Sequence, residues 1–282
     1  MKGVGGMLYS SSRITENEVF TSGIEGPACD KDGNLYAVNY GEQGTIGIVR
    51  PDGSSEIWLK LPGGSIGNGI RFNKKGDMFI ADYVNHNIFK VESGTGELSV
   101  HAHEPLMNQP NDIAIMGNGI IFASDPNWAD NTGNIWRIDT DGTVVQLASN
   151  VGTTNGIEVS ADERILYVNE TMQRSIWAYD LNENGDISGK RLLIEFNDYY
   201  LDGMRCDIEG NIYVTRYGKG TIAKISPEGV LLREIALEGS NCTNICFGGA
   251  DGKTAYVTVA DGGNVQSFTV ESAGRCWAMW ND

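Results

Sequence analysis

The sequence predicts an all-β chain, a six-bladed β-propeller with four antiparallel strands per blade, and three observations carry that prediction. First, one phrase recurs six times: an oxygen-bearing residue followed by a short apolar strand, opened by Glu25, Asn68, Asn111, Asn155, Asp202 and Asn244. Successive openers are 43, 43, 44, 47 and 42 residues apart. Second, a turn follows each opener at constant phase, as in Asp32-Gly33, Lys75-Gly76, Asn118-Gly119, Asp162-Glu163, Glu209-Gly210 and Asp251-Gly252. Third, an aromatic residue follows each turn: Tyr36, Phe79, Phe122, Tyr167, Tyr213 and Tyr256.

Within a repeat the pattern is short strands separated by turn residues, with no sustained helical period. Repeat two reads GIRFN, MFIADY, IFKVES and LSVHA, split by KKGD, VNHN and GTGE. The longer fourth spacing comes from LNENGDISGK, which extends the outer hairpin of blade four. Repeat six supplies only three strands, NICFG, TAYVTVA and NVQSFTV. The N-terminal stretch at about residues 16–23, around Glu18-Val19-Phe20-Thr21, is therefore expected to complete it and to close an otherwise exposed edge. Blades then start near 25, 68, 111, 155, 202 and 244, in one domain spanning residues 1–282. The tail SAGRCWAMWND, with Trp277 and Trp280, either packs outside or covers one face.

The composition narrows the function classes. A net charge of −16 argues against nucleic acid or an anionic membrane as partner, since both call for clustered Lys and Arg. No run approaches the ~18 apolar residues of a membrane span, and MKGVGGMLYSSSR lacks the apolar core of a secretory leader. Of the five cysteines, Cys29 and Cys206 share one strand phase; Cys242 and Cys246 have no second pair to complete a zinc site. These read as structural thiols in a reducing, cytoplasmic compartment. His86, His101 and His103 read as surface residues.

In a propeller the first strand of each blade lines the central channel, so the openers form a ring at one mouth. The second strand returns to the same face and brings Asn39, Asp82, Asp125, Glu170, Arg216 and Val259 around it. Asn and Asp at such places often only cap turns. A convergent ring with two carboxylates instead leaves charge that is costly without a partner, and a cation relieves it. Glu25, Asn111, Asn155 and Asp202 offer only oxygen. That suits one hard divalent cation, Ca²⁺ first, with Mg²⁺, Mn²⁺ or Zn²⁺ as alternatives. Trp128, Tyr40, Tyr83 and Tyr217 fall on loops at the same mouth.

Four motifs, Glu25-Gly26-Pro27, Asn111-Asp112, Thr154-Asn155-Gly156-Ile157 and Leu201-Asp202-Gly203-Met204, resemble the SMP-30/gluconolactonase family of six-bladed propellers, over about residues 16–270. The resemblance implies a metal-dependent hydrolase that opens the ester of a sugar or small hydroxy-acid lactone, with the cation polarising the carbonyl. It implies Glu25, Asn155 and Asp202 as metal ligands, Asn111 as metal or substrate ligand, and Asp202 as general base or nucleophile. Asn68, Asn111, Asp125, Trp128 and Arg216 are the substrate-binding candidates, with Asp125 or Glu170 as alternative bases. Gln109 stands where the sugar-lactonase branch carries Arg, and Arg216 is the candidate to replace its lost donors. The segment DPNWADNTGNIWRID is closer to the bacterial gluconolactonase branch and its lactonase relatives. The competing readings are an organophosphate-hydrolysing enzyme of the diisopropyl-fluorophosphatase kind at the same metal, and a non-catalytic Ca²⁺-binding propeller. The expected partner is a small lactone, and the expected assembly is a monomer or weak homo-oligomer.

Overall fold

The computed structural model describes residues 8–280. Most of the N-terminal stretch read for a leader segment, and the last two residues of the tail, lie outside the described residues.

Six four-stranded antiparallel sheets follow one another around a ring as a β-propeller. The chain opens with β1 (Ser12–Arg13). Blade one is β2 (Phe20–Cys29), β3 (Leu35–Tyr40), β4 (Thr45–Val49) and β5 (Ser55–Lys60). Blade two is β6 (Gly67–Phe72), β7 (Met78–Asp82), β8 (Asn87–Val91) and β9 (Leu98–His103). Blade three is β10 (Ile113–Ile115), β11 (Ile121–Asn127), β12 (Thr132–Ile138) and β13 (Val144–Val151). Blade four is β14 (Thr154–Val159), β15 (Ile165–Glu170), β16 (Ser175–Leu181) and β17 (Ile187–Glu195). Blade five is β18 (Tyr200–Cys206), β19 (Ile212–Tyr217), β20 (Thr221–Ile225) and β21 (Leu231–Ala236). Blade six is β22 (Cys242–Gly248), β23 (Thr254–Val259) and β24 (Asn264–Thr269), and β1 pairs with β24 as its outer strand.

Burial explains the strand grammar. Inner and middle strands are buried on both faces, as in β3 and β7, whereas outer strands such as β17 and β21 alternate or face solvent. The repeated aromatics fill the seams between blades: Phe122, Tyr167 and Tyr213 are almost wholly buried, and Tyr213 meets Phe247 of the next blade edge-on, with ring centroids 5.1 Å apart. Tyr36 meets Phe72 across the first seam in the same way, at 5.6 Å.

The closing strand differs from the sequence expectation. It is Ser12–Arg13, not the stretch at about 16–23, because Glu18 takes a left-handed turn conformation (φ 62°) that ends any strand there. Phe20 and Thr21 already belong to the inner strand of blade one, where Phe20 pairs with Tyr40. Ring closure is still made by both chain ends, through Ser12 opposite Ser267 and Arg13 opposite Gln266.

The tail covers the end of the channel away from the opener ring. Gly274 pairs with Asp207 of blade five and donates to Gly252 of blade six. The short helix α1 (Arg275–Ala278) follows, and Trp280 reaches Phe72 of blade two at 5.9 Å. Among the described residues no helix is long and apolar enough to cross a membrane.

Candidate active site

Five of the six openers sit where the inner strand is irregular, and Asn111 lies just before the regular β10. The pairing slips between Glu25 and Ala28, Gly67 and Ile70, Thr154 and Ile157, Leu201 and Met204, and Cys242 and Asn244. Such bulges re-aim a side chain out of the sheet, here towards the axis. The glycine after the opener makes this possible. Gly26 has φ 57°, and a Cβ there would run into the carbonyl oxygen of Asn68 on the neighbouring blade.

Five openers, Glu25, Asn68, Asn111, Asn155 and Asp202, line one cavity of about 370 Å³ at the mouth of the channel, together with Asn39, Tyr83 and Trp128. The sixth departs from the expected ring. Asn244 is turned behind Glu25, donating to its Oε2 at 2.8 Å and accepting from the amide of Ile245, and Thr243 takes its place on the wall.

Three amide oxygens are conspicuous: Oδ1 of Asn68, Asn111 and Asn155 are buried without a hydrogen-bond partner. For Asn155 the cause is visible. Its Nδ2 donates to Thr171 Oγ1 at 3.1 Å, and Thr171 itself donates to Leu201 O at 2.8 Å, so the amide is held oxygen-inward. Beside these oxygens stand two carboxyls. Burial, then the charge of Asp112, pushes Glu25 up to about 7. Burial, then the charge of Glu25, pushes Asp202 well above the carboxylate range, although a hydrogen bond from Asn155 opposes it. Without a cation, the pair favours holding a proton.

Beneath the cavity lies an ionic layer that the motif reading did not identify. Burial pushes Asp112 up, but Arg205 and Arg71 outweigh that and hold it below the ordinary range. Arg205 lies 2.9 Å and Arg71 3.3 Å from its carboxylate. Glu158 faces Arg71, Arg205 and Arg275 at 3.9, 4.0 and 3.6 Å, and Arg275 closes the stack on Glu163 at 2.5 Å. A sequence signal existed. Arg71, Glu158 and Arg205 all stand three residues after an opener, and Asp112 occupies a phase held by glycine at Gly26, Gly69, Gly156 and Gly203.

The outer ring does a different job from the one expected of it. Asp125 is fully buried and accepts from the amides of Asn108 and Gln109 and from Trp136 Nε1, so it anchors the loop before blade three. Arg216 is 1% exposed, stacked over Phe196 and paired with Asp198 and Glu234. Neither Asp125 nor Arg216, the residue expected to stand in for the Arg absent at Gln109, lines the cavity. Glu170 is likewise occupied, by Gly152 N and Lys190. Asp125 and Glu170, the two alternative bases, thus both lie outside the cavity lining with partners of their own. Of the loop aromatics, Tyr83 and Trp128 line the cavity; Tyr40 packs on Phe20 and bonds Ser55, and Tyr217 stays outside it.

All five cysteines are free, and Cys246 lies against Cys29 at 3.8 Å across the seam between blades six and one. None of the three histidines reaches the cavity.

The chain is similar in sequence and in fold to known proteins. A family model described as "SMP-30/Gluconolactonase/LRE-like region" matches residues 22–261. The chain belongs to this family. Among its relatives is a gluconolactonase of Zymomonas mobilis, 27% identical over 285 residues, covering 87% of this chain and 79% of the relative. Another is the pentonolactonase XacC of Haloferax volcanii, 30% identical over 178 residues, 60% of this chain and 61% of that one. A solved regucalcin from Agrobacterium tumefaciens superposes with a TM-score of 0.81 at 20% identity, over 96% of this chain and 95% of the other, and shares the fold.

Proposed function

We propose that the chain hydrolyses a lactone in the opener cavity, with a hard divalent cation, Ca²⁺ by donor chemistry, as its cofactor. The observation that carries this is the set of three unpartnered buried amide oxygens opening onto the same space as two carboxyls. Each such oxygen costs about 1–3 kcal/mol when left unpaired, so the arrangement is expensive unless something coordinates it. The donors are all oxygen, two of them ionisable, which matches hard-cation chemistry rather than a Cys/His zinc site. Among the described residues no cluster of three or more His, Cys, Asp or Glu forms, so the amides are essential to the set. Glu25, Asn111, Asn155 and Asp202 would hold the ion, and Asn68 completes the ring towards substrate.

When bound, the cation would supply Lewis-acid polarisation of the lactone carbonyl. The chain's own residues then have defined tasks. Asp202 takes the proton of the attacking water as that oxygen bonds the carbonyl carbon, and returns it to the ring oxygen as the ester C–O bond breaks. Asn111 and Asn68 orient the ring, and Tyr83 and Trp128 wall it from bulk water. The lactonase names of the family relatives support this reaction over the other hydrolytic reading. The test is a panel of γ- and δ-lactones followed with a pH indicator, on metal-stripped protein resupplied with Ca²⁺, Mg²⁺, Mn²⁺ or Zn²⁺. Turnover restored by a cation is expected. Turnover unaffected by stripping would remove the cation, and none under any condition would remove the lactonase reading.

A further inference from the structure

We infer that the substrate is an uncharged lactone bearing an alkyl chain, and that the chain runs out of the cavity across the apolar rim of its mouth; the inference rests on the lactonase reading above. The cavity lining holds two carboxyls and no Lys, Arg or His, so an anionic substituent on the ring would find no counter-charge there. The buried guanidinium nearest in role, Arg216, is already paired with Asp198 and Glu234.

For the hydroxyls of a sugar ring the lining offers few partners beyond the ion-holding set, namely Ser22, Gln43 and Asn68, since Thr243 already bonds Ile24 O and Thr258. Each buried hydroxyl needs its own partner, and an unmet one carries the full desolvation cost. Asn39, one of the polar residues on the blade-one side, is already committed at both ends: Nδ2 donates to Gly23 O at 2.6 Å and Oδ1 accepts from Gly44 N at 3.1 Å. Beside Asn68 and Asn111, the wall on the side of blades two and three carries Ile66, Tyr83 and Trp128.

The apolar surface continues outward. In a propeller of this connectivity, loops joining second to third strands, and outer strands to the next blade, all emerge at the cavity face. Those loops expose Val84, Leu106, Trp128, Met172 and Tyr199, and Tyr200 at the start of β18 joins them, drawn from blades two to five and the junctions between them. Leu106 is 76% exposed and Trp128 40%. Trp128 belongs both to this rim and to the cavity wall, so the two apolar surfaces are continuous there. Exposed apolar residues gathered around a polar cavity mark a binding surface.

The test measures kcat/KM with Ca²⁺ present for δ-hexalactone, δ-decalactone, glucono-δ-lactone and 6-phosphoglucono-δ-lactone. The expected order places δ-decalactone about tenfold or more above δ-hexalactone, with the phosphorylated lactone lowest. Trp128→Ala and, separately, Leu106→Ser should each cut the decalactone-to-hexalactone ratio at least about threefold, a ratio that partial loss of folded protein does not move. A flat chain-length dependence, or faster turnover of either sugar lactone than of δ-decalactone, overturns the inference while leaving a lactonase. Sedimentation with phosphatidylcholine vesicles that Leu106→Ser abolishes, alongside a flat chain-length dependence, would assign the rim to lipid instead and also overturn it. No turnover of any of the four overturns the lactonase reading itself.

Discussion

A single hydroxyl decides what Asn155 offers the channel. Thr171 accepts from the amide nitrogen and so leaves the amide oxygen facing inward. Thr171→Val keeps the shape and removes that restraint, and is expected to weaken Ca²⁺ binding about tenfold by isothermal titration, the scale of one lost hydrogen bond. Asp202 bears two tasks that pull against each other, because a carboxylate drawn to a cation is a poorer base. In Asp202→Asn, turnover at saturating Ca²⁺ should fall at least about a hundredfold. Affinity measured on the same protein separates the roles: metal retained with full turnover would take Asp202 out of the chemistry. The openers could be located from phase alone because one strand position, repeated around an axis, must converge. Asp125 and Arg216 had the same regularity and went elsewhere. They stand at the end of the second strand, where incoming loops present partners: the amides of Asn108 and Gln109 donate to Asp125, and the carbonyl and carboxylate of Asp198 accept from Arg216. Phase predicts which ring a residue joins; it does not predict whether loop backbone will claim the side chain first.

At the scale of elements, strands and turns were readable because alternating burial and Gly-bearing turns both leave marks in the sequence. The exceptions are informative. Five inter-strand turns place Gly at the left-handed position, while the fourth has Glu163 there, at φ 57°. A non-glycine residue in that conformation costs roughly 1 kcal/mol, and its carboxylate explains the choice: it binds Gly117 N at 2.7 Å and Arg275 Nη2 at 2.5 Å. The strained turn thus holds the tail. Arg275→Met leaves Glu158 and Glu163 without that partner in a buried setting, and should lower stability by about 3–5 kcal/mol in urea unfolding. A change under about 1 kcal/mol would show the ionic layer to be tolerant of its loss. Nothing in SAGRCWAMWND announced this role, since a lone Arg among small and aromatic residues has no periodic partner. The N-terminal strand was displaced for a related reason: two residues paired to β24 suffice, too few for a pattern.

For the whole molecule, the cavity's charge balance sets how stability responds to pH. Glu25 is raised from its ordinary 4.5 to about 7 in the folded state, and Asp202 moves in the same direction. The folded protein therefore holds protons that the unfolded chain has released across that window. The contribution of these groups is fully present below the unfolded value and is lost as pH rises through the folded one. EDTA-treated protein should show a thermal midpoint that falls between roughly pH 5 and pH 7.5, and added Ca²⁺ should flatten or reverse the fall. Ca²⁺ at about a hundred times its Kd should add about 2.7 kcal/mol at neutral pH. A midpoint indifferent to both pH and Ca²⁺ across that range would mean that the ring carries neither the shared proton nor the ion.

The ionic layer also has a consequence in time. Arg275 follows every blade strand in the chain, so during synthesis Asp112, Glu158 and Arg205 leave the ribosome before it does. Through that interval Glu158 has only the more distant Arg71 and Arg205 opposite it. The outer strand of the last blade precedes blade one in the chain, and it waits for β24 with its edge bare. Hoop and axle are thus both fastened only once blade six and the tail behind it have been made, and a nascent chain halted inside blade six would offer chaperones an open seam and an unfilled hub at once.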